Sequence, residues 1–120
     1  MLTIKIVDTQ GFSEEEIIRR LETLRGKVIG EIESPSVLRL TPDDANHRWL
    51  TIDESQYAGI AMDFYREKGG IYAEIKPSPA LKELIKRSSE DTFNFSVRPW
   101  PPKGQGKTII AFDYNPFHKE

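Results

Sequence analysis

The chain has no cysteine, so disulfides, thiolate nucleophiles and cysteine-bound zinc are excluded, and a reducing compartment fits. Histidine is nearly as scarce. His47 and His118 stand far apart among scattered carboxylates, which is not the ligand spacing of a catalytic zinc or iron site. Long apolar runs are missing too: none approaches the roughly 20 residues a membrane helix needs. Charge of one sign is balanced, with 17 basic against 19 acidic residues and a net charge of −2. Without a basic excess or stripe, a nucleic-acid partner is not expected. Neither a Walker loop nor G-x-G-x-x-G occurs, and Gly104-Gln105-Gly106-Lys107 is too short for either. No cofactor, metal or membrane partner is therefore expected. Asp43-Asp44 and Asp53-Glu54 read as solvated acid pairs beside turns, the alternative being a site for a hard cation.

What is present suits a single domain over residues 1–120, with 38% hydrophobic and 30% charged residues. The first residues alternate as Leu2, Ile4, Ile6 and carry charges, which reads as a strand rather than a signal peptide. Ser13 and Glu16 have the S-x-x-E spacing of a capping box, with Ile17, Ile18, Leu21 and Leu24 as the apolar stripe of a helix that Gly26 stops. Lys27 to Ile32 reads as a short strand, and Leu38 with Leu40 as a few extended residues. Thr41-Pro42-Asp43-Asp44 starts a helix expected to make one turn before His47. Alternation from Arg48 to Ile52 then predicts a strand.

Tyr57–Arg66 and Ile71–Lys76 predict a hairpin around Gly69-Gly70, with Ile60, Met62 and Phe64 lining one face. Ser78-Pro79 starts another helix, with Leu81, Leu84 and Ile85 as its buried stripe. Thr92 to Arg98 is a strand that Pro99 should end, and Thr108 to Tyr114 is the last. The expected fold class is α+β: a curved antiparallel sheet or small β-barrel flanked by two main helices.

The stretch richest in chemistry is Thr92-Phe93-Asn94-Phe95-Ser96-Val97-Arg98. Period-2 alternation puts Phe93, Phe95 and Val97 on one face and Asn94, Ser96 and Arg98 on the other. A hydroxyl with a guanidinium two residues on suits a nucleophile beside an anion stabiliser; it equally suits a solvated strand face. His47 is the candidate base, with His118 in the tail the poorer one. Asp113 either orients that base or simply ends a strand. Trp49, Tyr57, Tyr65, Phe95 and Trp100 read as core aromatics, the alternative being a stacking platform for single-stranded nucleic acid.

In order along the chain, these segments resemble the bacteriophage prohead (capsid maturation) serine proteases. Gly30-Glu31-Ile32-Glu33-Ser34-Pro35 is similar to the G-E-L-x-x-P signature. Leu40 to His47 resembles the lead-in to the catalytic histidine, and Gly70-Ile71-Tyr72-Ala73-Glu74-Ile75 the V-Y-G-x-I strand. Asn94 to Arg98 resembles the G-[V/I]-S-x-R strand, and Phe112-Asp113-Tyr114-Asn115-Pro116 the late F-D-x-V-x-x-P motif. The chain departs from the pattern where Asn94 and Pro99 stand for glycines, and where Asn46 stands for the serine before the histidine.

The resemblance implies a barrel akin to the herpesvirus assembly proteases. It implies Ser96 as nucleophile, His47 as general base and Asp113 as third member, with Arg98 and Asn94 at the oxyanion and substrate side. Its partners would be scaffold, capsid precursor and the chain itself, with a homo-oligomer compatible, inside an assembling prohead in the host cytoplasm. A catalytically inactive copy serving as an interaction domain in assembly or regulation is the alternative.

Overall fold

In the computed structural model, which describes residues 1–33, 35, 40–67, 69–101 and 108–116, the alternating segments become one six-stranded sheet. Strand β1 (Leu2–Asp8) turns Ile4 and Ile6 into the core. Helix α1 (Glu14–Leu24) begins where the Ser13 hydroxyl accepts the Glu16 N–H at 3.2 Å, and it buries Ile17, Leu21 and Leu24. Gly26, at φ +78°, provides the left-handed residue that stops it. Strand β2 (Val28–Glu31) follows. Of the expected extended residues beyond it, Leu38 lies outside the described residues and Leu40 is an exposed bend.

The structure differs next. Helix α2 (Pro42–Leu50) carries on past His47 and takes in Arg48 and Trp49, so the strand expected from Arg48 is not there. Alternation over five residues is too short to separate a period of 2 from one of 3.6. Thr41, whose hydroxyl accepts the Asp44 N–H at 3.2 Å, with Pro42 behind it and acids in the first turn, decides for helix.

After a single 3-10 turn at Glu54–Gln56, strands β3 (Tyr57–Glu67) and β4 (Gly70–Pro77) form the expected hairpin. A bulge between Ala61 and Asp63 reverses the facing of β3. Ala61 and Phe64 stand opposite Ile75 and Ala73 on the core side, and Met62, expected inside, is exposed. Helix α3 (Pro79–Ile85) is capped by the Ser78 hydroxyl on the Leu81 N–H, but its seven residues bury only Leu81 fully. Leu84, expected in that stripe, is 60% exposed.

Strand β5 (Thr92–Trp100) does not end at Pro99, because a register shift between Arg98 and Pro99 accommodates the missing N–H. Strand β6 (Thr108–Tyr114) completes the set, and residues 102–107 lie outside the described residues.

The strand order is β2-β3-β4-β1-β5-β6. All neighbours are antiparallel except β1 and β5, which run parallel, so the sheet is mixed and not the antiparallel one expected. The parallel pair arises because the chain leaves β4, passes through α3 and re-enters on the far side of β1. The outer strands of this order, β2 and β6, curl round to meet. A Cβ added at Gly30 would stand 1.9 Å from the Phe112 carbonyl oxygen, an approach that only glycine permits. The result is a mixed α+β domain: a nearly closed, barrel-like sheet with three α-helices among the described residues, filled by Ile4, Ile29, Ile75, Phe95 and Phe112.

Candidate functional site

Three charged residues interrupt otherwise apolar strands: Glu31 at the end of β2, Arg98 in β5 and Asp113 in β6. Each is buried, with 1% or less of its surface exposed. Burying a lone charge costs several kcal/mol, so such groups persist only when paired and fully hydrogen-bonded. Arg98 meets that condition with all five of its N–H donors. Nε and Nη2 grip the two Asp113 oxygens, each at 2.8 Å. Nη2 also reaches Glu31 Oε2 at 2.7 Å. Nη1 donates to the carbonyls of Trp49 at 3.2 Å and Thr51 at 2.9 Å. Those carbonyls sit at the end of α2, where a cation also complements the helix dipole.

The cluster extends to a second arginine. Arg48, on α2, forks onto both Glu31 oxygens, Nη1 to Oε2 at 2.9 Å and Nη2 to Oε1. Beside it the Trp49 indole N–H donates to the Pro99 carbonyl at 2.6 Å, and its ring lies over the Arg98 guanidinium. Two cations and two anions thus balance. Burial works against the charged Arg98, yet the bonds and charge of Asp113 and Glu31 outweigh it and raise its pKa. Burial likewise opposes the Glu31 carboxylate, but Arg48 and Arg98 together hold it below its ordinary value. For Asp113 burial wins and pushes the carboxyl up, against the pull of Arg98 and of the Glu31 N–H.

The cluster also spans the seam of the sheet. Where β2 and β6 meet, the Glu31 N–H donates to Asp113 Oδ1 at 2.9 Å, and the Glu31–Arg98–Asp113 bridge ties the same two strands through β5. The predicted polar face of β5 is therefore real but not solvated. Ser96, Arg98 and Asp113 lie on the side away from Phe95 and Val97, and the α2 end is laid across Arg98.

Ser96 stands directly opposite Asp113 in the β5–β6 ladder and is 6% exposed. Its Oγ accepts from the Asn115 side-chain N–H at 2.7 Å, and the Asn115 backbone N–H donates to the Asn94 carbonyl at 2.8 Å. The structure thus brings Ser96, Arg98, Asp113 and Asn94 to one region. His47 is different. It lies on an exposed turn of α2, its carbonyl accepting from the Thr51 hydroxyl, and its imidazole makes no hydrogen bond among the described residues. His118 lies outside the described residues.

Sequence reasoning missed Glu31 and Arg48 as members of this cluster. The available signal was an acid, a base and an acid placed singly in three apolar strands, a pattern that buried charges satisfy by pairing with one another. The aromatic set does not share one surface. Phe95 is in the core, Trp49 is held by Pro99, and Tyr65 stacks on Tyr72 with ring centres 5.5 Å apart. Asp53 accepts the Ser55 N–H, while Asp43 and Asp44 occupy the first turn of α2. Among the described residues no group of three or more histidine or acidic side chains is placed to hold a metal ion, and no helix is long and apolar enough to cross a membrane. Compared with protein-family models, curated proteins and solved structures, the chain matches none of them.

Proposed function

We propose that the chain is a prohead-protease-like barrel whose triad positions serve its architecture, and that it acts as a non-catalytic interaction domain in phage head assembly. The observation that carries this reading is the double grip of Arg98 on Asp113. A carboxylate that orients a catalytic imidazole accepts its N–H, and the exposed His47 imidazole makes no hydrogen bond among the described residues. Here both Asp113 oxygens bind Arg98, and Oδ1 takes the Glu31 amide as well. Arg98, the expected oxyanion-side cation, has no donor left over for a substrate. The ordered run of similar motifs supports the phage setting, with scaffold and capsid precursor as partners and the assembling prohead in the host cytoplasm as location.

One observation favours the second reading, an active serine endopeptidase. Ser96 faces Asp113 across a single ladder position. The two readings separate in one experiment. The wild type and Ser96→Ala are incubated with scaffold and capsid precursor proteins, and both cleavage and complex formation are followed. Complex formation without cleavage by either form is expected. Cleavage by the wild type that Ser96→Ala abolishes, with circular dichroism unchanged, would replace the proposal with the endopeptidase. Neither cleavage nor a complex would reject both.

A further inference from the structure

Away from that cluster, an open groove of about 250 Å³ runs between α1 and the start of β6. Phe12 and Ile109 give it an apolar wall, Thr23 and Thr108 add hydroxyls, and Arg19 and Arg20 supply two cations. Arg20 is half committed: one Nη2 donates to the Ile110 carbonyl at 3.0 Å. Its Nε–H is buried and has no hydrogen-bond partner, alone in this among the buried side-chain polar atoms of the described residues. A buried donor left without an acceptor is destabilising, so a fold rarely retains one without reason. Glu16 stands one helical turn before Arg20 and lines the same groove, yet no ion pair joins them among the described residues. Arg19, exposed beside it, makes no ion pair among these residues either. Burial lowers the Arg20 pKa with no carboxylate to offset it.

We propose that this groove binds a small organic carboxylate with an apolar stem. The carboxylate would accept from Arg19 and from the Arg20 guanidinium, whose buried Nε–H must turn outward to meet it, and the stem would lie on Phe12 and Ile109. The volume is below the roughly 300–1,000 Å³ of drug-sized sites, so the ligand is small. A cation pair matched by one apolar wall selects for both properties at once. The inference does not depend on the phage reading or on the fate of Ser96.

The probe is 3-phenylpropionate, titrated into the full chain while backbone amide chemical shifts are followed. Saturable shifts at Phe12, Arg20, Thr108 and Ile109 are expected. 3-Phenylpropionamide should bind at least about tenfold more weakly, and inorganic phosphate likewise. Arg20→Gln should weaken binding about tenfold or more. Because Arg20 also holds the Ile110 carbonyl, its thermal midpoint is read alongside. Arg19→Gln, which removes a side chain without a hydrogen bond or ion pair among the described residues, should weaken binding several-fold with the midpoint unchanged, and Glu16→Gln should tighten it. The proposal is overturned by an absence of saturable shifts, by equal binding of the amide or of phosphate, or by an Arg19→Gln affinity equal to that of the wild type.

Discussion

Arg98 is the residue on which the others depend. A lysine there would offer three donors from one point, whereas the guanidinium presents five in a planar fork. Only the fork reaches Asp113, Glu31 and the two carbonyls of the α2 end together. The acids around it respond to pH in opposite senses. Glu31 is held below its ordinary value of 4.5, so its contribution is complete above that value and is lost as the pH falls through the lower folded one. Asp113, pushed up by burial, contributes below its ordinary 3.8 and loses that contribution as the pH rises. Comparing the wild type with Glu31→Gln isolates the first effect. The stability gap measured by urea denaturation should be constant from neutral pH down to about 4.5 and should narrow below it. A gap that widens in acid would contradict the assignment.

Among the elements, those with short-range signals were legible in the sequence. Ser13, Thr41 and Ser78 mark the starts of all three helices, because a cap is a local hydrogen bond between residues three apart. Facing was less legible. The bulge at Ala61–Asp63 leaves no mark in the alternation, and it moved Met62 from the core to the surface. The length of α2 was hidden for a related reason. No residue of that helix is fully buried, so it has no apolar stripe to read, and it is held instead by Arg48, Trp49 and the carbonyls that Arg98 engages.

Glycine separates local from long-range demands. Alanine at Gly26 meets open space and pays only the left-handed strain, about 1–2 kcal/mol. Alanine at Gly30 would drive a methyl into the Phe112 backbone and force β2 from β6. The loss there should exceed that at Gly26, reaching about 3 kcal/mol or more. Equilibrium denaturation of the two variants checks the order, and equal losses would mean that the seam is loose.

At the scale of the whole molecule, the sheet is a ribbon whose ends are joined by charge rather than by a full backbone ladder. Glu31 and Asp113 come from strands that are 82 positions apart, and Arg98 lies between them in the order of strands, so no local pattern could pair them. Ser96 and Asp113, which the resemblance to prohead proteases singles out, face each other across the β5–β6 ladder. What the resemblance could not supply was the occupancy of Asp113, which depends on Glu31, Arg98 and the α2 end meeting at one place. The parallel pairing of β1 with β5 was hidden for the same reason: strand direction is fixed by the crossover through α3, not by alternation.

The central claim is that Asp113 serves Arg98 rather than a histidine, and a double-mutant cycle measures this directly. The coupling between Arg98→Met and Asp113→Asn in equilibrium denaturation should be on the order of 2–3 kcal/mol, the upper range for groups in direct contact. A coupling near zero there, with a comparable value appearing instead between His47→Ala and Asp113→Asn, would contradict the account and return the carboxylate to a catalytic role.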